Sequence, residues 1–275
     1  MIKRSDRAIA ARTRRSGVFL ALAVVVLGTA APAASETASQ AAFARVVIDA
    51  GHGGKDEGAT GKNGVLEKEI VLDVSRRLAK ILEANRLDVI LTRETDRFVP
   101  LEVRTARAND ARGDLFVSIH ANAASARQAR GIETYFVSLE ASDAASRLVA
   151  DRENEALGRG GPASPQFDPF LALLGDMIST DHLADSNAFA KLAQAELANV
   201  DQISSRGVKQ APFVVLMGVQ MPAALVEIGF LSNRRDAASL GTTAHRKRIA
   251  EALARAVMAF GKRYDARRGL AAIRE

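Results

Sequence analysis

Short apolar runs alternate with amphipathic stretches through the first half of this chain. Residues 46–50 form an apolar run that predicts a buried strand, and residues 66–83 carry apolar side chains at helical spacing. The alternation continues with a strand at 88–92, a helix at 101–112 and a strand at 114–120. Strands that alternate with helices are typical of the α/β class, in which the strands form a mostly parallel sheet.

The second half of the chain departs from this alternation. After a strand at 131–137, residues 138–208 are rich in alanine and predict a largely helical segment, which precedes strands at 213–217 and 223–230 and a closing helix at 245–264. A crossover between parallel strands needs only about a dozen residues. The 138–208 segment is therefore predicted to be an insertion, whose simplest role is to decorate and stabilise one face of the sheet.

The first 34 residues have the layout of a secretory signal peptide. A basic region up to Arg15 precedes an apolar stretch at 18–27, and small residues surround Ala33 and Ala34, where we expect cleavage. The pair Arg14-Arg15 weakly resembles a twin-arginine signal, so the twin-arginine and the general secretory (Sec) routes both stay open. The apolar stretch is short for a membrane span, which needs about 20 residues, although an uncleaved anchor is the alternative.

Charge and cysteine content narrow the classes of function. The 275-residue chain carries a formal net charge of +6, but residues 1–34 account for +5 of it, which leaves +1 for the remainder. The basic character therefore belongs to the leader, and no nucleic-acid partner is predicted. The chain has no cysteine, so neither a disulfide framework nor a thiolate zinc site can form. Residues 35–43 are mostly polar or small and predict a linker to the domain that follows.

Two histidines and one glutamate stand at positions that favour a metal site. His52 follows the first strand between glycines, and His120 ends the strand at 114–120, so the carboxyl edge of one sheet would bring them together. Glu67 falls in the first turn of the helix at 66–83. Two histidines and a carboxylate are a ligand set of hydrolytic zinc sites, which leave a fourth position for water. The plainer interpretation is a pair of hydrogen-bonded structural histidines and a glutamate that the helix dipole favours.

Glu227 is the unexpected residue of the last predicted strand, because it places a carboxylate inside the apolar run at 223–230. Burial of an unpaired charge is costly, so such a residue is usually paired, protonated or functional. A glutamate that faces solvent at the edge of the sheet is the alternative. We therefore treat Glu227 as a candidate for the chemistry of the site.

Six segments together resemble one known family. They begin at Val46, Gly64, Leu91, Ser118, Arg130 and Leu225, and they read Val-Val-Ile-Asp-Ala-Gly-His-Gly-Gly, Gly-Val-Leu-Glu-Lys, Leu-Thr-Arg, Ser-Ile-His-Ala-Asn, Arg-Gly-Ile-Glu-Thr-Tyr-Phe and Leu-Val-Glu-Ile-Gly-Phe-Leu-Ser-Asn. In order and content, over about residues 45–235, they are similar to the zinc-dependent N-acetylmuramoyl-L-alanine amidases of the Amidase_3 family. Ala50 departs from the family pattern, which usually has proline there; this difference should cost some rigidity and no chemistry.

The resemblance implies a fold and an activity. The fold is α/β, a mixed, mostly parallel twisted sheet of about six strands with helices on both faces, here with a helical insertion, in a catalytic domain at residues 44–265. The activity is hydrolysis of the amide bond between N-acetylmuramic acid and L-alanine in peptidoglycan, for daughter-cell separation or wall remodelling. An exported enzyme with this substrate would act in the periplasm, without stable membrane insertion after signal cleavage.

The resemblance also implies roles for individual residues. One Zn2+ per chain would be held by His52, Glu67 and His120, and Glu227 would be the catalytic carboxylate that accepts and returns a proton. Asn122 is a candidate for substrate binding, although an amide that caps the turn after its strand would fit the sequence equally well. These residue roles are expectations that follow from the resemblance.

Cell-division amidases of this family carry a helical insert that blocks the zinc until a LytM-domain activator displaces it. The segment that begins at Ala144 is similar to the start of that insert, so the 138–208 segment is predicted to be regulatory. Glu153 is the candidate for the carboxylate that occupies the fourth zinc position, with Asp151 and Glu155 as neighbours that could replace it. Apolar residues later in the insert would form a docking face for the activator: Phe170, Leu171, Leu174, Met177 and Ile178.

Two other classes of function stay open at this point. A zinc carboxypeptidase-like peptide hydrolase uses a similar ligand set on a related sheet. A catalytically inactive wall-binding regulator is the second alternative, and the presence of all three candidate ligands together with Glu227 speaks against it. Product analysis separates the carboxypeptidase from the amidase, because an amidase frees an intact stem peptide from the sugar.

Overall fold

One sheet organises the part of the chain that the computed structural model describes, residues 42–61, 64–157, 180–201 and 203–270. Its six strands are β1 (Arg45–Ala50), β2 (Asp88–Leu91), β3 (Leu115–Asn122), β4 (Ile132–Val137), β5 (Ser205–Ala211) and β6 (Ala223–Phe230). They lie side by side in the order β2-β1-β3-β6-β4-β5. All neighbours are parallel except β6 and β4, so β4 and β5 begin at the edge where the other four strands end.

Helices connect and cover these strands. Within the described ranges they are α1 (Glu67–Ala84), α2 (Leu101–Asp110), α3 (Ala144–Glu153), α4 (Thr180–Ala198), α5 (Arg234–Leu240) and α6 (Thr243–Arg267). Short 3₁₀ turns at Asn154–Leu157 and Val214–Leu216 complete the regular structure. Side-chain caps fix the starts of α3, α5 and α6, where Asp143, Asn233 and Thr242 each accept a hydrogen bond from a first-turn N–H.

Two apolar layers form the core, one on each face of the sheet. Successive strand residues point to opposite faces, so Val46 of β1 enters the layer that contains α1, α4 and α6. Val47 enters the other layer, with residues of α2, α3 and the Val214–Leu216 turn. A mixed, mostly parallel sheet of six strands with helices on both faces confirms the predicted fold class.

The predicted strand at 213–217 is wrong. This apolar run is fully within the second layer, where Val214–Leu216 form a 3₁₀ turn that packs against α2. The missing strand is β5, which overlaps the end of the 138–208 segment that we expected to be helical. A short apolar run does not distinguish a strand from another buried segment. The sequence pattern missed β5 because this strand is largely polar and lies at the edge of the described sheet, beside β4.

The second half of the predicted insertion belongs to the main core. Phe189, Ala190, Ala193 and Leu197 of α4 are fully buried between the sheet and α6. Displacement of α4 would therefore open the first apolar layer, at a cost comparable to unfolding that layer. The regulatory role predicted for 138–208 is therefore restricted to the first part of the insertion, which contains α3.

Some sequence predictions fall outside the described residues. These are the signal peptide at 1–34, nearly all of the linker at 35–43, and the proposed docking residues between Phe170 and Ile178. The last linker residue, Phe43, is buried with its ring centroid 5.8 Å from that of Phe260, so the packed domain includes it. Across the described ranges, no helix combines the length and the apolar character that a membrane span needs.

Candidate active site

His52 lies two residues beyond β1, in a turn whose backbone suits glycine. Its φ is +57°, and Gly53 follows with a φ of +123°. A Cβ at Gly51 would lie 2.4 Å from the His120 ring, so only glycine allows that imidazole to approach. Both carboxylate oxygens of Asp56 lie 3.0 Å from His52 Nδ1. The pairing with Asp56 leaves His52 Nε2 for the interior of the site.

Glu67 is the first residue of α1, and backbone N–H groups hold both of its carboxylate oxygens. Oε2 accepts a hydrogen bond from Ala59 at 2.8 Å, and Oε1 accepts one from Ala121 at 2.9 Å. Oε1 also lies 3.1 Å from His52 Nε2 and 3.1 Å from His120 Nδ1. The main chain therefore orients the carboxylate so that one oxygen faces both histidines.

Glu153 completes a group of four side chains, His52, Glu67, His120 and Glu153, which we call the donor cluster. Glu153 is the last residue of α3, and its Oε2 lies 3.1 Å from His52 Nε2 and 2.8 Å from His120 Nδ1. One ligand atom from each of the four residues lies within 4.8 Å of the other three. The structure thus brings the three predicted zinc ligands together with the predicted blocking carboxylate.

The two neighbours considered as alternatives to Glu153 are not in the donor cluster. Asp151 forms an ion pair with Arg147, one turn earlier on α3, at 2.9 Å. Glu155 is exposed and lines a cavity of about 350 Å³ beside His52. Among the three carboxylates at the end of α3, the geometry therefore singles out Glu153.

Electrostatics in the donor cluster favour ionised carboxylates and protonated imidazoles. Burial opposes charge on all four side chains, but the neighbouring carboxylates of Glu67, Asp56 and Glu153 outweigh it and raise the pKa of His52. Glu153 and Glu67 likewise overcome burial and raise the pKa of His120 to about 10. The histidines lower the pKa of Glu67 and lower the pKa of Glu153 to about 2. A divalent cation would replace the imidazole protons, because metal binding competes with protons at such donors.

The donor cluster fits a zinc ion in chemistry and in size. Imidazole nitrogen and carboxylate oxygen bind zinc at about 2.0–2.2 Å in a tetrahedron, which separates neighbouring ligand atoms by roughly 3.3–3.6 Å. The four histidine–glutamate separations of 2.8 to 3.1 Å are slightly shorter, and all ligand atoms lie within 4.8 Å of one another, so small shifts of the side chains would accommodate the ion. His52 Nε2 and Glu153 Oε2 are buried without a well-formed hydrogen bond to any described residue, and a cation would satisfy both atoms.

Glu227 lies on β6, directly in register with His120 on β3. It is fully buried, and neither carboxylate oxygen has a hydrogen-bond partner among the described residues. Burial raises the pKa of Glu227 well above its usual range, and repulsion from Glu153 adds to this effect. The solvent-facing alternative is therefore wrong. A buried carboxyl group with a raised pKa beside a cluster of metal-type donors is suited to general acid–base chemistry.

Comparison with known proteins places the chain in a family. A family model described as N-acetylmuramoyl-L-alanine amidase, Amidase_3, matches residues 46–259. The chain belongs to this family. The resemblance found in its motifs is thereby confirmed over most of its length.

Curated relatives and solved structures agree with this Amidase_3 membership. The amidase AmiA of Escherichia coli (strain K12) is 36% identical over 222 residues, which cover 80% of this chain and 77% of AmiA. The amidase AmiC of Neisseria meningitidis serogroup B is 37% identical over 217 residues, 78% of this chain and 52% of AmiC, so the chain spans about half the length of that relative. The solved structure of the amidase AmiC2 of Nostoc punctiforme has a TM-score of 0.61 at 31% identity and covers 80% of this chain and 98% of AmiC2.

Asn122, at the end of β3, connects the sheet of this Amidase_3 domain to α3. Its Oδ1 accepts a hydrogen bond from Arg152 at 3.0 Å, and its Nδ2 lies 3.4 Å from Glu133 Oε2. These contacts point the amide across the site, and within the described ranges it caps no turn. The contact with Arg152 ties the end of α3 to the floor of the site.

Glu133 is a site residue that the sequence analysis missed. It is buried on β4 in register with Glu227, and it accepts hydrogen bonds from Tyr135 at 2.6 Å, Arg206 at 2.5 Å and Lys209 at 3.0 Å. Burial opposes its ionisation, but these donors outweigh burial and lower the pKa of Glu133. The Amidase_3 site therefore contains two strand glutamates whose pKa values shift in opposite directions, down for Glu133 and up for Glu227. The available signal was the same as for Glu227, a carboxylate within a buried strand.

Proposed function

We propose that this chain is a zinc hydrolase that cleaves the amide bond between N-acetylmuramic acid and L-alanine in peptidoglycan. The observation that carries the proposal is the convergence of His52, Glu67 and His120 beside Glu227, whose carboxylate has no hydrogen-bond partner in the described part of the chain, a member of the amidase family. One Zn2+ per chain would use those three side chains as ligands and keep the fourth position open in the active form.

Glu227 is proposed to move the proton in this reaction. Zinc bound at the donor cluster would supply Lewis-acid polarisation of water and of the amide carbonyl. Glu227 would accept a proton from the water that attacks the carbonyl carbon and then donate that proton to the leaving nitrogen of L-alanine. Burial is the main cause of the raised pKa of Glu227, and repulsion from Glu153 is the second cause. Departure of Glu153 would remove its repulsion and lower the pKa of Glu227, so that more of Glu227 would be ionised and able to accept a proton.

The position of α3 supports a further part of the proposal, that the described conformation is autoinhibited. Glu153 provides the fourth donor, which water would otherwise provide. Arg152 is bonded to Asn122, and the Asn154 side chain bonds the backbone at residues 212–214 at 2.8 and 2.9 Å. These few polar contacts hold the end of α3 over the site. Their release would also free Asn122, which is proposed to bind substrate.

The activator is proposed to be a LytM-domain protein that binds the open form better than the blocked form. Leu148 on α3 is 64% exposed and Leu139, which precedes α3, is 46% exposed. Exposed apolar side chains on and beside a regulatory helix suit contact with a partner. The proposed docking residues between Phe170 and Ile178 lie outside the described residues, so their role rests on the resemblance.

Export to the periplasm is proposed from the leader at residues 1–34, with cleavage near Ala33 or Ala34 by the Sec or the twin-arginine route. The linker and the catalytic domain at 44–265 would follow, and the enzyme would serve daughter-cell separation or wall remodelling. The intact mass of the exported protein tests the location. A mass that still includes the first 30 residues would favour a membrane anchor.

Two measurements on the full-length chain test the activity: its zinc content and the muropeptides that it releases. We expect about one zinc per chain, and release of intact stem peptides that is slow in the parent and faster in Glu153→Ala. Glu227→Gln should bind the same amount of zinc and release almost no product. Shortened stem peptides would instead support the carboxypeptidase-like alternative. Wall binding without any product, even from Glu153→Ala, would support the inactive regulator.

A further inference from the structure

Two arginine side chains are buried beneath the donor cluster. Arg93 is fully buried and Arg104 is 2% exposed. Arg104 is paired with the buried Asp49 at 2.8 Å, and burial together with repulsion from Arg104 lowers the pKa of Arg93 to about 10. Buried ion pairs are costly, and apolar residues of similar volume are often equally stable in their place. The buried pair of Arg104 and Asp49 therefore needs an explanation beyond packing.

Arg93 joins the two segments that carry His52 and Glu67. Its Nε donates to the carbonyl of Ala50 at 2.9 Å, and its Nη2 donates to the carbonyl of Gly51 at 2.7 Å. The same Nη2 donates to the carbonyl of Lys68, in the first turn of α1, at 2.9 Å. One guanidinium group thus holds the residue before His52 and the residue after Glu67.

Arg104 holds the other side of the same turn. Its Nη2 donates to the carbonyl of His52 at 2.7 Å, and its Nη1 donates to the carbonyl of Ala50 at 2.6 Å and to Asp49. The other oxygen of Asp49 accepts a hydrogen bond from Ser118, two residues before His120, at 2.8 Å. The network therefore extends from the His52 turn to the strand that carries His120.

We propose that Arg93 and Arg104 are positioning residues that set the spacing of His52 and Glu67 for a divalent cation. The inference rests on the proposed zinc site and adds residues that act on it only through the backbone and Asp49. Bonds to the carbonyls of Ala50, Gly51 and His52 restrain a turn in which His52 has a left-handed φ. A planar guanidinium group bridges several carbonyls at fixed angles, whereas a lysine ammonium group is a single flexible point.

Arg93→Lys and Arg104→Lys test the inference, because they keep the charge and remove the bridging geometry. The zinc dissociation constant of each full-length variant is measured by competition with a chelator, and Tm is measured with and without zinc. We expect zinc to bind about 10–100-fold more weakly, as for other groups that orient metal ligands from outside. Arg76→Lys is the matched control, since Arg76 is exposed on α1 and donates to the carbonyl of Glu94.

The two melting temperatures separate positioning from plain stabilisation. A structural role alone lowers both values and leaves the zinc-induced increase intact, whereas a positioning role shrinks that increase. If neither lysine variant folds, Ser118→Ala is measured instead, because it loosens Asp49 and keeps both arginines. Zinc affinity within about twofold of the parent, in the folded lysine variants or otherwise in Ser118→Ala, overturns the inference. A parent chain that binds no zinc overturns the proposed function instead.

Discussion

The two sides of the donor cluster are built differently. His52, Glu67 and His120 belong to the sheet and its adjoining turn and helix, where backbone N–H groups orient the Glu67 carboxylate. Glu153 comes from α3, a ten-residue helix that is fixed by its cap at Asp143 and by polar contacts at its end. Three donors are thus part of the folded core, and the fourth is on an element with few attachments.

This difference indicates which side can move. A helix of ten residues is only marginally stable by itself in water, so contacts rather than its own backbone bonds keep α3 in place. Val149 and Ala150 of α3 are buried in the second apolar layer, and Leu148 is exposed. Displacement of α3 costs those contacts, whereas displacement of His120 would require the sheet to open and displacement of Glu67 would require α1 to leave the first apolar layer. We expect variants on the two sides to have opposite effects on activity.

Loss of a donor on the sheet side should have the largest effect. His120→Ala should lose both zinc and turnover, because it removes one of the two imidazole ligands and leaves only His52 and Glu67 to hold zinc once Glu153 departs. Zinc content of the folded variant and muropeptide release are the measurements. His182→Ala, which changes a partly buried histidine on α4 outside the donor cluster, is the control and should keep both. Full zinc content and full turnover in His120→Ala would remove His120 from the site.

Glu227→Gln should separate metal binding from proton transfer. The amide resembles the neutral carboxyl group in shape, so the fold and the zinc content should be retained. Turnover should fall about 10²–10⁴-fold, the usual contribution of a general acid–base group. The rate is measured on purified peptidoglycan with the zinc-loaded protein. Near-normal turnover would assign the proton transfer to another residue.

Glu153→Ala should act in the opposite direction and raise basal activity. An interaction with a charged partner contributes about 1.5–3 kcal/mol, so its loss should increase the open population roughly 10–150-fold if the closed form dominates. Asp151→Ala removes a carboxylate from the same helix outside the donor cluster and is the control. Activity in Glu153→Ala is compared with that of the double variant with Glu227→Gln, which should be inactive. A folded, zinc-loaded Glu153→Ala no faster than the parent would exclude Glu153 as the blocking ligand.

The N-terminal cap of α3 should give the smallest effect. Asp143→Ala removes a cap that contributes about 1 kcal/mol, which corresponds to an increase of about fivefold in basal activity, whereas Asp143→Asn keeps the cap and should change little. Hydrogen bonds from Ser146 lower the pKa of Asp143 from 3.8 to about 2. The cap is therefore fully effective above pH 3.8 and is lost as the pH falls through about 2.

The pH dependence provides the check on Asp143. The difference in Tm between Asp143→Ala and the parent should be constant above about pH 4 and should shrink as the pH falls toward 2. Basal activity is compared at neutral pH. A Tm difference that increased on acidification would contradict the role assigned to the Asp143 cap. Equal activities of the alanine variant and the parent would show that the cap does not control the site.

The sequence was sufficient to predict the structure where its periodicity is regular and its residue types are distinctive. The run at 46–50 and the amphipathic pattern at 66–83 predicted β1 and α1 to within one residue at each end. Placement of His52 and His120 at the carboxyl ends of strands required only that β1 and β3 be parallel neighbours, which they are. The clustering of these side chains with Glu67 therefore follows from topology and from their positions in the chain.

Long-range polar contacts could not be predicted from the sequence. Nothing in its pattern indicated that Arg93 and Arg104 would converge on one turn, because their partners are backbone carbonyls far away in the chain. The predicted insertion also combined two different parts, since α4 packs with four fully buried residues into the first apolar layer, whereas α3 places only Val149 and Ala150 in the second. Replacement of all of 138–208 would for this reason unfold the domain, and point changes on α3 are the sharper test.

The central claim is that Glu153 is the fourth ligand of a zinc ion otherwise held by His52, Glu67 and His120. Diffraction from crystals of the zinc-loaded chain, with anomalous data at the zinc edge, tests it most directly. The account predicts one peak, about 2.0–2.2 Å from one ligand atom of each of the four residues. A zinc ion bound by the two histidines and Glu67 with Glu153 turned away, or bound elsewhere, would contradict it.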